Sequence, residues 1–179
     1  QEEKEKVKNF IPKNTEEVNV IDFYSMAAGP TGRSRLVKVV AMEEGFPFYG
    51  KFELKLQGTV AKSANELLHN RENIWIYPEL RNQLELDLGE MIKIGEAQFR
   101  VTDFVMNDAG LQFQPAELAP KVFISKNNLA KTKLLLQGNT AFHNSLFKLP
   151  LGCEEKKIIE AVENAVTTPE IRIFSHQKA

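Results

Sequence analysis

A single cysteine, Cys153, is all the thiol chemistry this chain of 179 residues holds. An internal disulfide and a multi-cysteine zinc site are therefore excluded. The histidines His69, His143 and His176 stand far apart and in no ligand spacing, so they read as surface or loop residues rather than a metal site. An excess of one charge is missing too. Against 23 Lys and Arg stand 24 Asp and Glu, a net charge of -1 with both signs interspersed. That removes the electrostatic footprint of a nucleic-acid binder. No run approaches the roughly 18–20 consecutive apolar residues of a membrane-spanning helix. The start, Gln1-Glu2-Glu3-Lys4, is too charged to resemble a signal peptide and lacks an initiator methionine. A processed product, or a piece cut from a longer protein, is the expectation.

Catalytic signatures are equally scarce. No G-x-S-x-G elbow occurs. Gly29-Pro30-Thr31-Gly32-Arg33 has the glycines of a phosphate loop, but the Lys-Ser/Thr that reaches phosphate and magnesium is missing and both flanks look like strands. A hairpin turn is the better reading. Cys153 follows Gly152 just before a helix, with no histidine nearby to act as base. Asp103 and Asp108 are separated by a strand end, and solvation explains them by default. Lys126, Lys131 and Lys133 are too sparse for a nucleic-acid groove. A small hydrolase is disfavoured on these grounds.

What is present is ordinary for a soluble globular chain: 42% hydrophobic and 26% charged residues. The length suits one domain or two small ones sharing strands. Val18–Met26 and Arg35–Met42 predict an antiparallel hairpin, with Val18, Val20 and Phe23 turned inward. Phe52–Leu56 alternates as a short strand, and Ala61, Ala64, Leu67 and Leu68 fall at helical spacing. The centre is the segment 74–101. Ile74 and Ile76 alternate with Trp75 and Tyr77 as in a half-buried strand, and Pro78 suits a first helical position. Leu80, Leu84 and Leu88 share one helical face. Met91–Ile94 and Gln98–Val101 then form a hairpin about Gly95-Glu96-Ala97. Ala109-Gly110 closes another hairpin into Leu111–Phe113. Lys121–Ser125 is a strand whose Ser125 caps a short helix over 126–133. Phe142–Leu149 is a strand, Glu154–Val166 a helix with an apolar stripe, and Ile171–Phe174 a closing strand. The aromatic loop Phe46-Pro47-Phe48-Tyr49 is the one feature surplus to folding. Phe46, Phe48 and Tyr49 are candidate contacts for a partner or apolar ligand; packing between two subdomains is the competing explanation.

Several blocks carry a resemblance. Phe23-Tyr24-Ser25-Met26, Arg35–Ala41, Glu44–Gly50, Leu88–Val101, and Ala119–Ser125 with Leu129-Ala130-Lys131-Thr132 run in matching order and spacing from 23 to 132. Together they resemble the extracytoplasmic domain of FtsX/MacB-like ABC transporter permeases, in particular the predicted lysophospholipase-biosynthesis permease branch. Gly89-Glu90 departs from the Gly-Asp common there. The resemblance implies an α+β fold in which both chain ends, 1–57 and 142–179, build a porter-like α/β subdomain. A β-rich, Sabre-like subdomain over 58–141 is inserted between them. It further implies a non-catalytic periplasmic domain, on the outer side of the bacterial inner membrane, without a cofactor. A separate cytoplasmic ATPase would drive it through flanking membrane helices. The domain would couple ATP hydrolysis to outer movement or handle a hydrophobic or lipid-like substrate, aided by a periplasmic partner protein. The isolated fragment is expected to be monomeric. The alternative is a cytosolic binding module of the double-psi-barrel sort. Such a barrel should show the Leu-Gly-acidic run of Leu88-Gly89-Glu90 twice, and it occurs once.

Overall fold

A computed structural model describes residues 6–60, 64–69, 72–108, 119–135, 140–166, 168–169 and 171–174. The strands are β1 (Glu16–Ala28), β2 (Ser34–Met42), β3 (Phe52–Leu54), β4 (Gly58–Val60), β5 (Asn73–Ile76), β6 (Met91–Ile94), β7 (Ala97–Asn107), β8 (Lys121–Ser125) and β9 (Ala141–Lys148). The helices are α1 (Ala64–His69), α2 (Pro78–Leu84) and α3 (Glu155–Ala165), with a 3-10 helix over Lys126–Thr132. The fold is α+β. The expected hairpin over 109–113 lies outside the described residues.

Two compact units divide the chain: residues 18–146, and residues 1–17 with 147–179. These boundaries differ from the 57/58 and 141/142 crossings expected from sequence. The reason lies in strand pairing. β2 runs parallel to β8, from Lys38 opposite Lys121 to Met42 opposite Ser125, so the first hairpin shares a sheet with the middle of the chain.

Within residues 18–146 the strand order β7-β5-β8-β2-β1-β6 closes on itself, because β6 also pairs with β7. The six strands fall into two consecutive triplets that pair alike. β1 and β2 form an antiparallel hairpin, and so do β6 and β7. β2 is parallel to β8, as β7 is to β5. The contacts β5–β8 and β1–β6 are both antiparallel. Rotating β1, β2, β5 onto β6, β7, β8 therefore reproduces every pairing.

The corners repeat as well. Each triplet ends in a short helix that stops at a left-handed residue, Glu85 (φ 51°) or Lys133 (φ 56°). Each of these residues forms an ion pair with its own triplet's hairpin loop: Glu85 with Arg33 at 2.8 Å, Lys133 with Glu96 at 2.6 Å. A glycine lets each loop approach the helix end. A Cβ on Gly29 would lie 2.3 Å from the Leu84 carbonyl oxygen, and one on Gly95 2.2 Å from that of Thr132. The repeat that the sequence shows only once in its Leu-Gly-acidic run is thus present in the backbone.

Alternation along the strands builds two apolar clusters. Phe23, Val37, Val39, Ile74, Ile76, Ile92, Ile94, Phe99, Val122 and Ile124 line the ring's interior, closed by Leu80 and Leu84 of α2. Val18, Val20, Val40, Met42, Trp75, Val105 and Phe123 face outward and are covered by Phe46, by β3 and β4, and by Ala64 and Leu68 of α1. β5 is consequently buried on both faces, with Ile74, Trp75 and Ile76 all at 0% exposure, rather than half-buried as its alternation suggests. Leu80 and Leu84 point inward together as expected, whereas Leu88 lies beyond the helix and packs at the cluster's edge.

In the other unit, α3 buries only Val162 of its apolar stripe. Lys8 pairs with Glu17 and Lys148 with Glu16, each at 3.0 Å. Residues 171–174 form no strand, which corrects the expected closing strand. Ile171 and Phe174 stay 37% and 60% exposed, so too little apolar surface is buried there to offset the entropy of ordering a ladder.

Candidate functional site

The loop from β2 to β3 begins with a turn in which the Phe46 N–H donates to the Glu43 carbonyl (3.3 Å). Gly45 adopts φ +88°, and a Cβ there would also meet Val18 Cγ2 at 3.2 Å, so the chain can reverse here only with glycine. The three candidate contact residues then part company. Phe46 is 5% exposed, its ring 6.3 Å from that of Phe52. Phe52 in turn meets Trp75 edge-on at 5.5 Å and Phe123 at 5.2 Å, geometries favoured by the aromatic quadrupole. Phe48 packs half-buried against the same cluster. Tyr49 is 53% exposed. The loop is thus an anchor, Phe46, carrying a displayed ring, Tyr49.

Polar bonds fix the loop's base. One Glu43 oxygen accepts from the Asn19 backbone N–H (2.7 Å) and side-chain amide (2.9 Å), while the other accepts from Lys126 Nζ (2.8 Å). Partial burial alone would raise the Glu43 pKa, but the bonds from Lys126 and Asn19 outweigh it and hold the carboxyl below its usual range. Asn65 of α1 donates to the Met42 carbonyl (2.5 Å) and to Ser125 Oγ (3.0 Å), tying that helix to the ends of β2 and β8. Ser125 also accepts from the Asn127 N–H (3.2 Å), the cap expected from sequence.

The remaining candidates separate cleanly. Gly29–Arg33 is a hairpin loop, closed by a Gly29 N–H bond to the Arg33 carbonyl at 2.8 Å. His69 Nδ1 lies 3.2 Å from the Asn127 amide, and His176 falls outside the described residues. Among the described residues no group of three His, Cys, Asp or Glu could hold a metal ion. Cys153 is a half-buried free thiol. Lys126, Lys131 and Lys133 each lie in an ion pair, with Glu43, Glu72 and Glu96.

Asp103 and Asp108 are not the solvated carboxylates expected. Asp103 is 0% exposed and accepts three backbone N–H bonds: Leu56 (2.9 Å), Gln57 (3.0 Å) and Phe104 (2.8 Å). Its carboxylate nails the β3–β4 turn onto β7. Asp108 pairs with the buried Lys121 at 2.8 Å. Sequence reasoning also passed over Lys38, 2% exposed and 3.2 Å from the equally buried Asp22. A lone lysine inside Arg35-Leu36-Val37-Lys38-Val39-Val40 was the available signal. A buried lysine there needs a carboxylate beside it.

The fold is similar to that of extracellular and periplasmic domains of ABC-type transporters and permeases. Over 86% of this chain it matches 76% of the extracellular domain of the noncanonic ABC-type transporter YknZ from Gram-positive bacteria, with a TM-score of 0.56 and 13% identity. It matches 70% of the periplasmic region of MacB from Actinobacillus actinomycetemcomitans over 89% of its length, with a TM-score of 0.53 and 11% identity. In sequence, the ABC transporter permease YbbP of Escherichia coli K12 is 25% identical over 105 residues, which is 59% of this chain. The chain spans only 12% of that relative's length. No protein-family model matches it. Among the described residues no helix is long and apolar enough to cross a membrane.

Proposed function

We propose that this chain is a non-catalytic periplasmic domain of an ABC transporter permease. ATP is hydrolysed by a separate cytoplasmic subunit, and the domain transmits the resulting movement or grips a hydrophobic or lipid-like substrate. The lysophospholipase-biosynthesis branch is the finer assignment within this reading. The observation that carries the proposal is agreement between two comparisons: extracytoplasmic transporter domains share the fold over most of the chain, and a permease aligns with it in sequence. Within this reading residues 1–57 and 142–179 form the porter-like part and 58–141 the β-rich part, and the aromatic loop of Phe46, Phe48 and Tyr49 makes the partner or ligand contact, Tyr49 being its exposed ring.

The two-fold repeat of strand pairings favours one second reading, a cytosolic double-psi-barrel-like binding module, because such barrels are internally duplicated. Topology of protease access separates the two. The complete reading frame is expressed, and protease is added to spheroplasts and to inverted membrane vesicles. Cleavage within residues 1–179 in spheroplasts but not in inverted vesicles is expected. A soluble product, cleaved only after lysis, refutes the permease reading, as does a reading frame that starts just before Gln1 and stops after Ala179.

A further inference from the structure

Two strands end the sheet among the described residues. β4 is three residues long and begins with a glycine, too short to template anything. β9 is different. It runs for eight residues, AFHNSLFK, and among the described residues pairs with β1 alone. Edge strands are normally blunted by proline, by inward charges, by a bulge or by brevity. β9 has no proline and no glycine, and its one formal charge, Lys148, sits at the last position and is neutralised by Glu16. Every one of its side chains is half-buried or exposed, with Phe142 at 50%.

The face of each residue follows from its contacts. Asn144 donates to Asp22 (2.6 Å) and Leu146 packs on the outer cluster, so even-numbered residues face outward together with Phe142. Ser145 donates to Asn19 (2.9 Å) on the opposite face. An antiparallel strand related by a two-fold axis normal to the sheet keeps these faces. With the axis at Asn144, Phe142 lies opposite Leu146 of a second copy, twice over, and His143 opposite Ser145. Moving the axis one residue either way sets Phe142 against Lys148, or His143 against itself. One register is therefore self-complementary: apolar residues meet across the strands and no like charges face each other.

We propose that β9 is a strand-addition edge through which two copies of this chain pair antiparallel about Asn144, continuing the sheet from one copy into the next. This replaces the monomer expected from sequence and does not depend on the permease reading. The test is sedimentation of the whole chain from low to high micromolar concentration. Self-association is expected, with the dimer dissociation constant raised about tenfold or more by Phe142→Lys. At concentrations well below the dimer dissociation constant, where only monomer is present, the unfolding midpoint of Phe142→Lys should stay close to that of the parent chain, since half of that side chain is exposed. In a Cys153→Ser background, Asn144→Cys should form disulfide dimers on mild oxidation far faster than Tyr49→Cys, an exposed position away from the strand. A chain monomeric throughout, a dimer indifferent to Phe142→Lys, or equal crosslinking at both cysteines overturns the proposal. So does an extended peptide of another protein binding this edge while the chain itself stays monomeric.

Discussion

Asp103 offers the sharpest test of how the outer layer is held. Replacing it with asparagine keeps the shape but turns one of two accepting oxygens into an NH2 donor. That NH2 then faces either the Gln57 N–H or the pair formed by the Leu56 and Phe104 N–H groups. One charge-assisted bond is lost outright, about 1.5–3 kcal/mol, and the survivors fall to neutral strength. Relief is limited to the turn. Leu56 is 62% exposed, so its N–H and that of Gln57 can return to water if the β3–β4 hairpin lifts away, but the Phe104 N–H is buried with its residue at 2% exposure. The expected cost is about 2–4 kcal/mol. With a urea m-value of about 2 kcal/mol/M, the midpoint falls by about 1–2 M. The assay is built in: Trp75 is the chain's one tryptophan, fully buried and edge-on to Phe52 of that hairpin. Its fluorescence reports residues 18–146 directly. A loss below about 0.5 kcal/mol, the range of ordinary surface changes, would refute the idea that the carboxylate anchors the turn.

Three further outcomes follow from other contacts. Gly95→Ala should cost at least about 2 kcal/mol more than Gly32→Ala: both glycines have positive φ, but a Cβ at 95 strikes the Thr132 carbonyl and Leu134 while one at 32 meets nothing within 4 Å. Equal urea midpoints for the two variants would remove the helix-end contact from the argument. Phe46→Ala should cost about 3–5 kcal/mol and Tyr49→Ala within about 0.5 kcal/mol, so transport or partner binding lost in Tyr49→Ala alone would assign the loop a contact role. Because the Glu43 carboxyl titrates lower in the folded chain than in the unfolded one, its contribution is complete above the unfolded pKa of about 4.3 and is lost as pH falls through the folded value. Glu43→Gln should therefore flatten the acid limb of a stability–pH curve and leave its slope near neutrality untouched.

Local chemistry was legible in the sequence wherever one residue type does one job. Pro78 opens α2, Ser125 caps the 3-10 helix, and Gly95-Glu96 turns the β6–β7 hairpin. What the sequence hides is pairing between distant strands. Nothing in Arg35–Met42 says that it will lie parallel to Lys121–Ser125, yet that pairing puts the first hairpin in one sheet with the middle of the chain. Trp75 and Asp103 are misjudged because of a second long-range arrangement. A half-buried alternation and a solvated carboxylate are the readings for an isolated strand. Both residues here face an outer layer supplied by Phe46, β3, β4 and α1, which local periodicity cannot announce. The candidate site was half legible: the loop's surplus aromatics stand out, but their division into an anchored Phe46 and a displayed Tyr49 depends on where Phe52 arrives.

The repeat within the ring narrows where function can reside. Two triplets with the same pairings, the same glycine-to-helix-end contact and an equivalent ion pair account for the barrel itself. Whatever is common to both halves serves closure, since each half needs it equally. What distinguishes them is the crossover from the second strand to the third. In the first half it spans 43–72 and brings the aromatic loop, β3, β4 and α1, whereas in the second it is the shorter stretch 108–120. The barrel's closure does not require the longer crossover, yet Asn65, Asp103 and Phe52 fasten it down with buried bonds and rings. A surplus segment fixed so firmly presents Tyr49 at a fixed place on a stiff body. Under the proposed reading, this is the place from which a partner or substrate would be contacted, and Tyr49→Ala is the substitution that tests it.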